Sequence, residues 1–166
     1  MSQKILMVIA PKDYRDEEFE EPKKVFESKG YQVTISSKGV EEATGMLGGH
    51  TKVDIDISEV IIEDYAAIVF VGGLGTIEYF EDDVALKIAR ESKRILAAIC
   101  FGPIILANAG VLDGKKATVS SSKKEALESK GAIYTGKGVE VDGRIVTGDG
   151  PGSAREFGNK IAELVR

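Results

Sequence analysis

The sequence predicts a three-layer α/β fold, in which a mostly parallel central sheet is covered by helices on both faces. Five short apolar runs punctuate the chain: ILMVIA at 5–10, YQVTI at 31–35, AAIVFV at 66–71, ILAAI at 95–99 and RIVT at 144–147. Several are apolar on consecutive residues, as strands covered on both faces must be. The segments between them have helical spacing, and strands alternating with helices build a parallel sheet. At about 150 residues per domain, the 166 residues argue for a single domain spanning 1–166, large enough to bury a core without metal or disulfide staples.

Taken in order, the first strand is followed by a helix over Glu17 to Lys29, which places Phe19, Val25 and Phe26 on one side and stops at Gly30, a good C′ residue. The acidic runs DYRDEEFEE at 13–21 and EDD at 81–83 read as solvated helix starts. On that reading Glu18 is a surface residue. The Gly-rich GMLGGHTKVDIDI at 45–57 reads as a hairpin or edge excursion. A helix over Asp82 to Lys93 puts Val84, Ala85, Ile88 and Ala89 on one stripe, with Asp82 or Asp83 as N-cap. After Cys100, GPIILANAG is apolar almost all round, predicting a buried helix that ends at Gly110. VEVDGRIVT at 139–147 predicts a hairpin with Asp142-Gly143 at its turn. Ser153-Ala-Arg-Glu156 has capping-box spacing and opens a last helix carrying Phe157, Ile161, Leu164 and Val165.

Composition removes several functions. One cysteine forbids an intramolecular disulfide, and with one histidine it also forbids a Cys/His zinc site, so a metal would need carboxylates alone. No metal or other cofactor is expected. Walker-type phosphate binding lacks its Gly-Lys-Ser/Thr ending. A net charge of −5 disfavours nucleic-acid binding, which needs basic patches. MSQKILMVIAPKD has no long apolar stretch or small-residue cleavage site, and nothing downstream approaches ~18 uninterrupted apolar residues. A soluble, cytoplasmic protein without membrane contact is expected.

Ligands of open parallel sheets bind beyond the C-terminal strand ends. ILAAI-C-FGP puts Cys100 at such an end, between a buried strand and a buried helix, as at a nucleophile elbow. A thiol at a helix start also feels free N–H groups and the positive end of the helix dipole, which favours the thiolate. A buried structural cysteine is the competing reading. Gly72-Gly73 ends another buried run, where the backbone can approach a ligand and offer N–H donors, or simply turn. His50 lies some fifty residues before Cys100 and reads as a solvated or edge-strand histidine.

Four motifs in register resemble the ThiJ/PfpI family across essentially the whole chain. AAICFGPIILANAGVLDGKKAT at 97–118 resembles its nucleophile segment, and KILMVIAPKDYRDEEFEEP its first strand and glutamate-bearing helix, with Glu18 four residues before Pro22. IVFVGGLG resembles the glycine pair after the third strand, and IVTGDGPGSAREFGNKI the start of the final helix. The resemblance implies a flavodoxin-like sandwich and a homodimer or larger homo-oligomer. It also implies a reactive Cys100 whose sulfur is hydrogen-bonded by a protonated Glu18, with the amides of Gly73 and Phe101 as oxyanion hole. A carboxyl buried beside a thiolate is pushed toward its protonated form, which can then donate to the anion.

Three departures stand out. Phe101 occupies the place where protease-like members have histidine, Ser120 a place where glyoxalase-like or deglycase-like members often have one, and Asp149 the place of a frequent arginine. The resemblance therefore implies first a glyoxalase-type or deglycase-type enzyme acting on small reactive carbonyls or glycated protein. The missing histidine keeps a second expectation open, a non-catalytic thiol sensor oxidised at Cys100. A third is an intracellular peptidase completed across subunits, with His50 or a partner's residues, which the loss of a neighbouring base weakens.

Overall fold

The computed structural model describes residues 3–165. In chain order the elements are β1 (Lys4–Val8), β2 (Lys12–Tyr14), α1 (Asp16–Ser28), β3 (Gln32–Ser37), β4 (Glu42–Gly45), β5 (His50–Lys52), β6 (Ile55–Asp56) and β7 (Ala67–Phe70). There follow α2 (Asp83–Glu91), β8 (Ile95–Ile99), α3 (Pro103–Asn108), β9 (Lys116–Ala117), α4 (Lys124–Glu128), β10 (Ile133–Tyr134), β11 (Val139–Asp142), β12 (Ile145–Gly148) and α5 (Ala154–Val165). Short 3₁₀ turns join several of them.

A seven-stranded sheet runs β11-β12-β8-β7-β1-β3-β6 and is parallel except for the antiparallel edge strand β11. The apolar runs became its central strands because helices cover both faces: every residue from Ile5 to Ala10 and from Ala67 to Val71 is buried. Two helix pairs, α1 with α5 and α2 with α3, flank it, and β8 touches both α3 and α5. The α1–α5 approach needs Gly158, since a β-carbon there would sit 2.8 Å from Cα of Pro22. Pro22 has no N–H, so the Glu18 carbonyl loses its intrahelical partner one turn back.

The Gly-rich excursion is a hairpin, β4–β5, which pairs with β2 in a separate three-stranded sheet before β6 rejoins the main sheet as its other edge. Its tip is closed by the first turn of α1. The Asp16 carboxylate, 7% exposed, accepts N–H bonds from Leu47 and Gly49, both at 2.9 Å. A β-carbon at Gly49 would lie 2.5 Å from that carboxylate, which is why the tip is glycine.

Several expectations are corrected. The 13–21 acidic run is not a solvated helix start: Asp16 is spent on the hairpin tip and Glu18 is fully buried. In the second run, Asp82 caps α2 by accepting from Ala85 N–H and pairs with Lys38. The β11–β12 turn falls one residue later, at Gly143-Arg144, because Asp142 pairs with Ile145 and turns its carboxylate to Lys116 N–H. Ser153 does not form a capping box. A 3₁₀ turn from Pro151 already leads into α5, the Ser153 amide bonds Gly150 O, and its hydroxyl donates to Asp149. Leu164 is 39% exposed, off the buried stripe of Phe157, Ile161 and Val165.

Candidate active site

Strand β8 ends at Ile99, and Cys100 turns the chain with φ of 62°. That left-handed conformation costs a non-glycine residue about 1–3 kcal/mol unless its surroundings hold it. Here the Cys100 N–H donates to Gly148 O and its carbonyl accepts from Ser120 N–H, both at 2.9 Å, while Gly102 N–H closes back on Ile99 O. Gly102 is required because a β-carbon there would lie 2.7 Å from Phe70 O. The elbow thus leaves the thiol half-buried at the C-terminal end of the sheet.

Glu18 comes to the same place from α1. Its side chain is 0% exposed, and neither carboxyl oxygen has a partner of full hydrogen-bond geometry. Burial raises its pKa from 4.5 to about 7, against the stabilising pull of the Cys100 thiol, the Arg15 cation and the Gly72 amide. The two side chains converge on Gly72, where a β-carbon would collide with Glu18 Oε1 and lie 2.6 Å from Cys100 Cβ.

The Cys100 thiol is pushed up from 9.0 to about 12, first by burial and then by the negative charge of Glu18. The backbone amides of Gly73 and Phe101 act on the sulfur in the opposite sense. This corrects the expectation that the helix start alone favours a thiolate: α3 is only six residues long, and desolvation outweighs its amides. Two groups this close titrate as a pair. The carboxyl gives up its proton before the thiol does, and the negative charge it then carries is one of the causes that hold the proton on Cys100.

The structure thus brings Glu18, Gly73 and Phe101 to Cys100. Gly73 has φ of 121° and lies so close to the β2–α1 turn that a β-carbon would be 2.5 Å from Arg15 N and Asp13 O. His50 stays outside, on exposed β5 with Nδ1 3.2 Å from Glu42. Ser120 serves the elbow through its amide, and Asp149 holds the Ser153 hydroxyl at 2.7 Å.

Two neighbours carry no clear mark in the sequence. Arg15 donates its amide to Gly72 O at 2.8 Å, grips Glu17 through two guanidinium bonds of 2.8 and 3.0 Å, and holds Glu18 toward its charged form. Its one signal is a basic residue inside an acidic run. Lys123 places its ammonium 5.0 Å from the centre of the Phe101 ring and 5.9 Å from that of Phe80. Nothing in its sequence neighbourhood distinguishes it.

A helix-flanked parallel sheet with a strained cysteine elbow facing a buried carboxyl defines a class of α/β proteins built around one thiol. Within that class the chain belongs to the DJ-1/PfpI family, whose model matches residues 3–164. It is 45% identical to protein MJ0967 of Methanocaldococcus jannaschii, over 98% of this chain and 82% of that one. It is 30% identical to the deglycase PfpI of Pyrococcus furiosus, over 97% of this chain and 99% of that one. The crystal structure of a ThiJ/PfpI domain protein from Brachyspira murdochii superposes with a TM-score of 0.96 at 35% identity, covering 99% of this chain and 96% of that one. No helix among the described residues is long and apolar enough to cross a membrane.

Proposed function

We propose that the protein is a cysteine-dependent enzyme of the glyoxalase or deglycase type, acting on small reactive carbonyls or on their adducts with protein groups. The observation that carries this reading is the fully buried carboxyl of Glu18 set against Cys100. A carboxylate beside a thiol can take its proton as the sulfur attacks and return it to the product of that attack.

For a 2-oxoaldehyde the sequence of steps balances without an external oxidant. The Cys100 sulfur adds to the aldehyde carbon, the carbonyl π bond becomes an alkoxide held by the Gly73 and Phe101 amides, and Glu18 protonates it to a hemithioacetal. The proton on the former aldehyde carbon moves to the neighbouring keto carbon through an enediol, leaving a thioester. Water cleaves the thioester, releasing a 2-hydroxy acid and the thiolate. One carbon of the substrate is oxidised and its neighbour is reduced. The relationship to a deglycase supports the substrate class. Lactate formation from methylglyoxal by the native chain and not by Cys100→Ser tests it; equal rates from both would overturn it.

One observation favours a second reading, a thiol sensor. The only imidazole in the chain, His50, is held by Glu42 on β5, so the half-buried thiol has no histidine base from its own chain. Peroxide would then convert Cys100 to the sulfinate, each of two peroxides giving one oxygen to sulfur and leaving as water. A mass gain of two oxygens that Cys100→Ala abolishes, without lactate formation by the native chain, selects this reading. The same placement of His50 removes the intrachain base that a peptidase needs.

A further inference from the structure

We infer that Arg15 is a positioning residue for the site through its backbone: its N–H fixes the Gly72–Gly73 peptide so that the Gly73 N–H faces the Cys100 sulfur. This rests on the reading of the Gly73 amide as an oxyanion donor and adds the group that aims it.

A trans peptide is planar, with its C=O and N–H pointing in opposite directions. Arg15 N–H donates to Gly72 O at 2.8 Å, which pins one side of the Gly72–Gly73 plane to the start of α1. The opposite side, the Gly73 N–H, is thereby directed at Cys100, where it favours the thiolate. Neighbouring groups hold the same turn in place. Gly73 O accepts from Thr76 N–H at 3.1 Å, the buried Thr76 hydroxyl donates to Val71 O at 2.9 Å, and Leu74 N–H donates to Met46 Sδ at 3.4 Å.

Arg15 reaches Gly72 because of the chain before it. Strand β2 is irregular between Lys12 and Tyr14, and Asp13 has φ of 65°. Asp visits this left-handed region more readily than most side chains do. The bend seats the 13–15 backbone directly against Gly73, where a β-carbon would lie 2.5 Å from both Asp13 O and Arg15 N and 2.8 Å from the Tyr14 carbonyl carbon. The Arg15 side chain is occupied separately, by its two bonds to Glu17.

The test separates the N–H of residue 15 from its side chain. Arg15→Gln and Arg15→Pro both lose the guanidinium, and only the second loses the N–H. The φ of −81° at Arg15 is close to that of proline, whose ring would occupy the place of the hydrogen and push Gly72 O aside. At about pH 8, iodoacetamide should label Cys100 about three- to tenfold more slowly in Arg15→Pro than in Arg15→Gln: one N–H bond to the anion is lost, and the greater nucleophilicity of a more basic thiolate returns part of the effect. Loosening of the site would act in the opposite sense, because a thiol brought into water returns toward the ordinary 9.0 and labels faster. Equal labelling of the two variants, or faster labelling of Arg15→Pro, overturns the positioning role. A second measurement needs no change at residue 15. Hydrogen exchange at the Arg15 amide should be as slow in Cys100→Ala as in the native chain, because the peptide is held from the α1 side. An Arg15 amide that is released in Cys100→Ala would mean that the sulfur holds the peptide, and overturns the role as well. Neither measurement reads turnover, so absence of lactate formation from methylglyoxal strikes the carbonyl-enzyme reading alone.

Discussion

Gly72 leaves the space that Glu18 fills. A β-carbon at residue 72 would overlap Glu18 Oε1, lie 2.6 Å from Cys100 Cβ and meet Ile99 O at 2.6 Å. The carboxyl, the thiol carbon and the end of β8 thus surround one missing side chain. Gly72→Ala should cost about 1–3 kcal/mol in urea unfolding, as overpacking of a tight site does, and should shift the pH dependence of Cys100 alkylation by displacing Glu18. A stable variant with native labelling would show that the carboxyl can move without consequence.

The raised pKa of Glu18 makes stability depend on pH in a defined direction. Folding favours the protonated carboxyl, so its contribution is complete below 4.5 and is lost as pH rises through about 7. Glu18→Gln removes that dependence. Relative to the Gln variant, the native chain should lose roughly 3 kcal/mol between pH 4 and pH 8, because each tenfold change in proton affinity is worth about 1.4 kcal/mol. Urea titrations of both proteins at the two pH values measure the difference; a gap that stays constant with pH would contradict it.

Burial of the thiol beside Glu18 predicts a labelling profile. Iodoacetamide reaction at Cys100 should rise with pH only above the ordinary 9.0, because burial and the charge of Glu18 both hold the proton on the thiol. In Glu18→Gln the charge is gone and burial alone remains, so the midpoint should fall below the native one while staying above the ordinary 9.0. Arg15→Gln should raise the native midpoint, because the guanidinium and the Cys100 thiolate attract one another. Identical midpoints in all three proteins would leave no role for the pairing.

Asp16 is expected to matter for order rather than chemistry. In Asp16→Ala, the amides of Leu47 and Gly49 lose their acceptor, and unmade hydrogen bonds at such a site cost about 1–3 kcal/mol each. Hydrogen exchange should accelerate at those two amides first, while β1, β7 and β8 keep their protection. Uniform acceleration across the sheet would mean that the tip is not a separately closing unit.

Consecutive apolar residues at 66–71 and 95–99 made the parallel sheet legible, since burial on both faces leaves a composition that needs no partner to be recognised. The elbow at Cys100 was legible for a related reason: strand, thiol, glycine and buried helix are contiguous. The capping box at Ser153 failed because Asp149, four residues earlier, competes for the same hydroxyl. The acidic run failed because charge alone does not say which carboxylates meet amides from a distant hairpin.

By itself, the sequence determined the layer architecture, the scarcity of cysteine and histidine and the position of the single thiol, because each follows from local pattern or from counting. Only the tertiary structure decided the electrostatics around that thiol. Whether Glu18 is solvated or buried, whether Arg15 reaches Gly72, and whether Lys123 stands over Phe101 depend on segments far apart in the chain meeting at one end of the sheet. Charge interactions depend on separation and desolvation rather than on residue order.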